Sequence, residues 1–95
     1  MQSIDYKVPN GKLLRIDADI KEKTIIDIKI HGDFFIHPED GIEIIEKNLI
    51  GKKIDDKSLS ETLNRATEEF EMIGVSVEDI IGVLGRFINQ WYLKI

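Results

Sequence analysis

Apolar residues recur at every second position up to about residue 36 and at helical spacing after Pro38, and this change of period limits the folds open to the chain. In the first part, Ile4, Tyr6 and Val8 alternate with polar residues until Pro9-Asn10-Gly11 interrupts. Asn-Gly accepts positive φ cheaply and is a strong short-range turn signal. Leu14, Ile16, Ala18 and Ile20 then alternate with Arg15, Asp17 and Asp19. After the polar connection Lys21-Glu22-Lys23, Ile26, Ile28 and Ile30 alternate with Asp27, Lys29 and His31. This pattern predicts a three-stranded antiparallel meander with one buried and one charged face.

Beyond Pro38, which is expected to open a helix, Ile42, Ile45 and Leu49 share a helical face, and Gly51 stands where a left-handed C-terminal cap belongs. Ser58-Leu59-Ser60-Glu61 has the form of a capping box, which would start a helix carrying Leu59, Leu63, Ala66, Phe70 and Ile73 up to Gly74. Ser76-Val77-Glu78-Asp79 reads as a further N-cap. It precedes a last helix with Val77, Ile80, Ile81, Leu84, Phe87, Ile88 and Trp91 on its apolar side. The expected order is β-β-β-α-α-α. Three helices packed on one face of a three-stranded sheet bury both patterns, so the fold class is α+β.

Size and composition narrow the function. Ninety-five residues suit one domain, and no repeat, linker or low-complexity stretch divides 1–95. One modest core fits in that length, with little left for a self-contained site that binds two substrates and excludes water. Hydrophobic residues make up 42% and charged residues 33%, an ordinary globular balance. The absence of cysteine excludes disulfides, thiolate metal sites and a Cys nucleophile. No apolar run reaches the ~20 residues of a membrane span, and the N-terminus lacks a signal-peptide pattern. A cytoplasmic protein is expected. The net charge of −5 argues against nucleic acid or an anionic membrane as partner.

Few residues suggest chemistry. Lys7, Lys12 and Arg15 flank the Asn10-Gly11 turn. A tight glycine turn beside lysines can hold a phosphate or carboxylate, and lysines at strand ends are also ordinary solvated residues that discourage edge pairing. The glycine spacing of a P-loop is missing. In Ile30-His31-Gly32-Asp33-Phe34-Phe35-Ile36-His37-Pro38-Glu39, consecutive strand residues face opposite ways, so Phe34 and Phe35 cannot enter one core if the strand persists. Either the chain bends at Gly32-Asp33 or one ring is exposed as an interface anchor. His31 with Asp33 and His37 with Glu39 offer metal-ligand chemistry, but nothing in their spacing fixes four ligands at one point, and no metal site is expected. Gly82 and Gly85 lie on one helical face, where they would allow a close approach or are merely tolerated. No carboxylate pair stands in an apolar setting. No residue of this chain is assigned a catalytic role.

Two segments together carry a family resemblance. Lys7-Val8-Pro9-Asn10-Gly11-Lys12-Leu13-Leu14-Arg15-Ile16, followed by Ile30 to Glu39, resembles the C-terminal accessory domain of bacterial-type lipoate–protein ligases. That domain typically carries K-x-P-G-G-K-L-[IV]-[RK]-[VI], two strands, and then I-x-G-D-F-F-x-x-P-E. Asn10 departs from the usual glycine, and asparagine tolerates the same left-handed conformation. The resemblance covers roughly Tyr6 to Ile88; Gln90 to Ile95 match nothing in it.

The resemblance implies more than the residues do alone. In that family a larger domain binds lipoate and ATP and carries the essential catalytic lysine. The accessory domain is required for making lipoyl-adenylate and swings away before transfer to the acceptor's lipoyl domain. Its fold is similar to sulfur-acceptor and iron–sulfur scaffold proteins. In some organisms the two parts are separate chains forming a heterodimer, and a 95-residue chain with its own Met1 is similar to that small subunit. The expectation is an accessory subunit that binds no cofactor alone and works with ATP, Mg and lipoate in the complex. Its partners would be the large catalytic subunit and, downstream, lipoyl-domain acceptors. Lys7, Gly11, Lys12 and Arg15 are the phosphate-facing candidates, and Gly32, Asp33, Phe34, Phe35 and Pro38 the docking candidates. The alternative is a noncatalytic adaptor of the same fold, unrelated to lipoylation.

Overall fold

Alternation in the N-terminal part produces the sheet it predicts. In the computed structural model, which describes residues 1–9 and 12–93, β1 (Gln2–Lys7), β2 (Leu13–Lys21) and β3 (Thr24–Gly32) form an antiparallel sheet in the order β1-β2-β3. The register sets Ile4 opposite Ile16 and Ile16 opposite Ile30. These residues, with Leu14, Ala18 and Ile28, form the buried face. The Asn10-Gly11 turn lies outside the described residues. Between β2 and β3, Glu22 and Lys23 both hold positive φ, 51° and 64°, as a two-residue hairpin turn requires.

The alternation breaks once. Asp19 faces Asp27, yet Ile20 faces Ile25, so the ladder shifts by one residue. A bulge of this kind leaves one residue unpaired and re-aims its neighbours. Ile25 enters the core at 0% exposure while Ile26 turns outward at 52%. The expected placement of Ile26 with Ile28 and Ile30 is thereby corrected.

Helices α1 (Gly41–Leu49), α2 (Asp56–Ala66) and α3 (Val77–Leu93) follow. Pro38 does not open α1. It lies in the preceding turn, where its carbonyl accepts the Gly41 N–H at 2.8 Å. Gly51, at φ 87°, ends α1 as expected. Helix α2 begins before its expected capping box. Asp55 occupies the N-cap position without a side-chain cap, and the Leu59 N–H already donates to the Asp55 carbonyl at 2.8 Å. An aspartate at the N-cap position favours the positive helix end, so the first turn forms upstream of Ser58. At the other end Thr67 donates both its N–H and its hydroxyl to the Leu63 carbonyl, at 2.9 and 2.7 Å. The chain then leaves the helix, so Phe70 and Ile73 are not on the α2 stripe. The cap of α3 is the expected one: Ser76 Oγ accepts the Asp79 N–H at 3.1 Å, and the Asp79 carboxylate accepts the Ser76 N–H at 2.9 Å.

Helix α1 packs on β3, α3 on β1 and β2, and α2 between the two helices. Ile45, Leu49, Leu59, Leu63, Ile80 and Leu84 share one core with the inner face of the sheet, each at 0% exposure. A second, two-stranded sheet joins β4 (Phe35–His37) to β5 (Glu71–Ile73) antiparallel. The period reading contained neither strand. Among the described residues no helix is long and apolar enough to cross a membrane.

The outer edge of β3 is closed by other parts of the chain. The Ile25 N–H donates to the Lys52 carbonyl, the Gly51 N–H to the Ile25 carbonyl, and the Ile30 N–H to Glu46 Oε2 at 2.7 Å. Removing the carboxylate leaves a part-buried backbone donor without its charged partner. Glu46→Ala is therefore expected to cost about 1–3 kcal/mol in denaturant unfolding, with Glu46→Gln recovering part of the loss. Among the described residues, a Cβ built at Gly82 or Gly85 meets nothing within 4 Å. Neither glycine is required by packing against those residues, and Gly85→Ala should raise stability by roughly 0.5–1 kcal/mol, read by thermal unfolding.

Candidate functional site

The two sequence motifs meet at the hairpin end of the main sheet. The Val8 N–H donates to the Lys12 carbonyl at 2.7 Å, closing the β1–β2 hairpin, and the Asp33 N–H donates to the Leu13 carbonyl at 3.1 Å. Gly32 lies directly against the Leu13 carbonyl and the Phe34 ring, where a Cβ would collide with both. Gly74, at φ 90°, faces the same place: a Cβ there would lie 3.2 Å from Lys12 Cγ and 3.3 Å from Phe34 Cβ. Three segments of the chain, residues 12–13, 32–34 and 74, thus meet at Phe34.

The two phenylalanines separate at this point. Phe34 is buried, while Phe35 is 75% exposed. Strand β4 starts at Phe35, and its cross-strand partner in β5 is Ile73, itself 54% exposed. Their neighbours Ile36 and Met72 also pair and are half-buried against the core. The bend and the exposed ring, offered as alternatives by the sequence, are both present.

The structure divides the basic group. Lys12 runs over Gly74 beside Phe34. Lys7 pairs with Leu13 in the ladder, and strand alternation sends its side chain to the outer sheet face with Arg15. Arg15 is engaged there: its guanidinium lies 3.2 Å from Asp17 and 3.7 Å from Asp5. Gly11 lies outside the described residues. Pro38 stands at the far end of β4, before α1.

His31 also belongs to the outer face, with Nε2 3.2 Å from Asp17 Oδ2, whereas His37 is on β4. Among the described residues no three His, Asp or Glu side chains converge to hold a metal ion. A shallow groove of about 210 Å³ runs between β1 and α3, lined by Tyr6, Glu78, Asp79, Gly82, Val83 and Arg86. The Arg86 guanidinium stands 5.7 Å from the centre of the Tyr6 ring.

Ile73 and Gly74 are the site residues that periodicity misassigned. Gly74 following a short apolar run was their only local signal.

The sequence comparisons bear on this constellation. The family described as "Bacterial lipoate protein ligase C-terminus" matches residues 3–84. The chain belongs to this family. The match runs from β1 into α3 and includes both motif segments and β5. A relative in Thermoplasma acidophilum, lipoate-protein ligase A subunit 2, is 42% identical over 55 residues. That alignment covers 58% of this chain and 57% of the relative, so it spans little more than half of that protein's length. The fold also matches a solved chain from the archaeal lipoylation system of T. acidophilum, described as a bi-partite lipoate protein ligase and its E2 lipoyl domain. The TM-score is 0.71 and the identity 30%, over 87% of this chain and 97% of that one. In this chain the Gly-Asp-Phe-Phe element carries one buried and one exposed ring.

On the outer face, the Ser3 hydroxyl donates to Asp17 Oδ1, and Arg15 Nε donates to the same oxygen at 3.2 Å. The Ser3 hydrogen bond, aided by Arg15, holds the Asp17 carboxyl below the usual carboxylate range. A carboxyl with a depressed folded-state pKa stabilises the fold above its unfolded value of about 3.9, and this contribution is lost as pH falls through the folded value. Ser3→Ala should move the Asp17 titration upward in carboxyl NMR; an unmoved midpoint would refute the assignment.

Proposed function

We propose that this chain is the accessory, noncatalytic subunit of a two-chain lipoate–protein ligase. The observation that carries the proposal is similarity over 97% of a chain from the T. acidophilum bi-partite ligase. Family membership over residues 3–84 supports it independently. In this reading a larger chain binds lipoate and ATP with Mg, and the small chain is needed while lipoyl-AMP forms. Transfer to the lysine of a lipoyl domain follows. Both chains would act in the cytoplasm.

The contribution of the small chain is closure and charge. Covering the large chain's site would exclude water, which protects an acyl-adenylate from hydrolysis and strengthens electrostatic contacts around the phosphates. Lys12 is the leading phosphate-side group, because its Cγ lies close to Gly74 where the two motifs meet. Lys7 adds positive charge at the same end of the sheet. Arg15 is the weaker candidate, since Asp5 and Asp17 already hold its guanidinium. Mg would come with the nucleotide on the large chain.

The test is pyrophosphate release from ATP and lipoate by the large chain, with and without this one. The expected outcome is a strong dependence on the small chain; equal rates would reject the role and favour an adaptor unrelated to lipoylation. Lys12→Ala is expected to slow adenylation about tenfold or more with the complex intact, the size of one lost charge-assisted hydrogen bond.

A further inference from the structure

We infer that the exposed Phe35–Ile73 face of the β4–β5 ribbon is the surface on which this chain docks onto the large catalytic chain. The inference deepens the accessory-subunit reading and rests on it.

The ribbon presents these two side chains by construction. Strand β4 follows directly from the bend at Gly32-Asp33, where Phe34 takes the inward position, so Phe35 must point out. Pairing with β5 sets Ile73 directly across from it, and the two form one apolar surface. Each strand has only three residues, too few to stand alone in water. The half-buried side chains of Ile36 and Met72 hold the ribbon to the core. An exposed aromatic next to an aliphatic residue on a small domain has the composition of an interface centre.

Other surfaces fit a partner chain less well. Helices cover the inner sheet face. The outer face is occupied by its own contacts among Arg15, Asp5, Asp17 and His31, and burying them would cost desolvation. Ile26 and Ile50 are also exposed, at 52% and 43%. They lie at the opposite end of the sheet, around the Gly51-to-Ile25 hydrogen bond, away from both motifs.

Continuity identifies the occupant. Ile73 precedes Gly74, over which Lys12 lies, so a chain seated on Phe35 and Ile73 is brought next to Lys12. The partner that places a nucleotide there is the large chain, which would offer an apolar recess. A lipoyl domain is the competing occupant.

The experiment measures association of the purified large chain with this chain by calorimetric titration. Phe35→Ser and Ile73→Ser are compared with Ile26→Ser. Far-ultraviolet circular dichroism and thermal unfolding check that each variant is folded. Phe35→Ser and Ile73→Ser should each weaken association tenfold or more, while Ile26→Ser stays within twofold. Wild-type affinity in folded Phe35→Ser and Ile73→Ser overturns the docking surface and leaves the accessory role standing. Wild-type affinity combined with slower lipoyl transfer to the lipoyl domain assigns the face to the acceptor, which also overturns it. No association between the large chain and the wild-type small chain rejects the accessory-subunit reading and the docking surface with it.

Discussion

Phe34 is wedged between two glycines, and the arrangement of the motif end of the molecule depends on that contact. Gly32 lies against its ring and the Leu13 carbonyl, and Gly74 approaches its Cβ. A side chain at Gly32 would collide with the ring, and one at Gly74, where φ is 90°, would strain the backbone and press on Phe34 Cβ. With the ring in place, the chain leaves the three-stranded sheet after Gly32, keeps one hydrogen bond to Leu13, and starts the β4–β5 ribbon. Burial of one aromatic thus determines the direction of the next. The exposed Phe35, its partner Ile73 and the path of Lys12 all follow from it.

The rest of the molecule supports that end by sealing the sheet. One face is covered by three helices, and the β3 edge is closed by backbone from residues 51 and 52 and by the Glu46 carboxylate. An unpaired edge invites pairing with other chains. Closing it leaves the apolar ribbon as the more specific contact surface. The outer sheet face meets water with mutually paired charges around Asp17, which satisfy one another without a partner. Such exposed pairs add little stability, because solvent screens them.

Much of this was legible in the residues. The two periods marked sheet and helices, Gly51 and the Ser76–Asp79 pair marked helix ends, and the motif segments pointed to the lipoate ligase family. The misread elements have physical causes. Ile26 was placed inside because a bulge is a property of two strands in register, and neither strand carries it alone. The start of α2 is displaced because Asp55 and Ser58 are both able to begin a helix, and the burial of Leu59 together with the acid at 55 decides between them. Phe70 and Ile73 continued an apparent helical stripe across residues that Thr67 had already released from the helix.

What the sequence determined by itself is therefore local: alternation, helical spacing, caps and the identity of two short motifs. Each of these acts within a few residues, where sterics and backbone hydrogen bonding suffice. Tertiary structure alone decided that Gly32, Phe34, Gly74 and Lys12 meet, that β4 pairs with β5, and that Phe35 is the ring left in solvent. Those outcomes require segments far apart in the chain to compete for one core. A ring excluded from that core has no local mark that distinguishes it from the ring admitted.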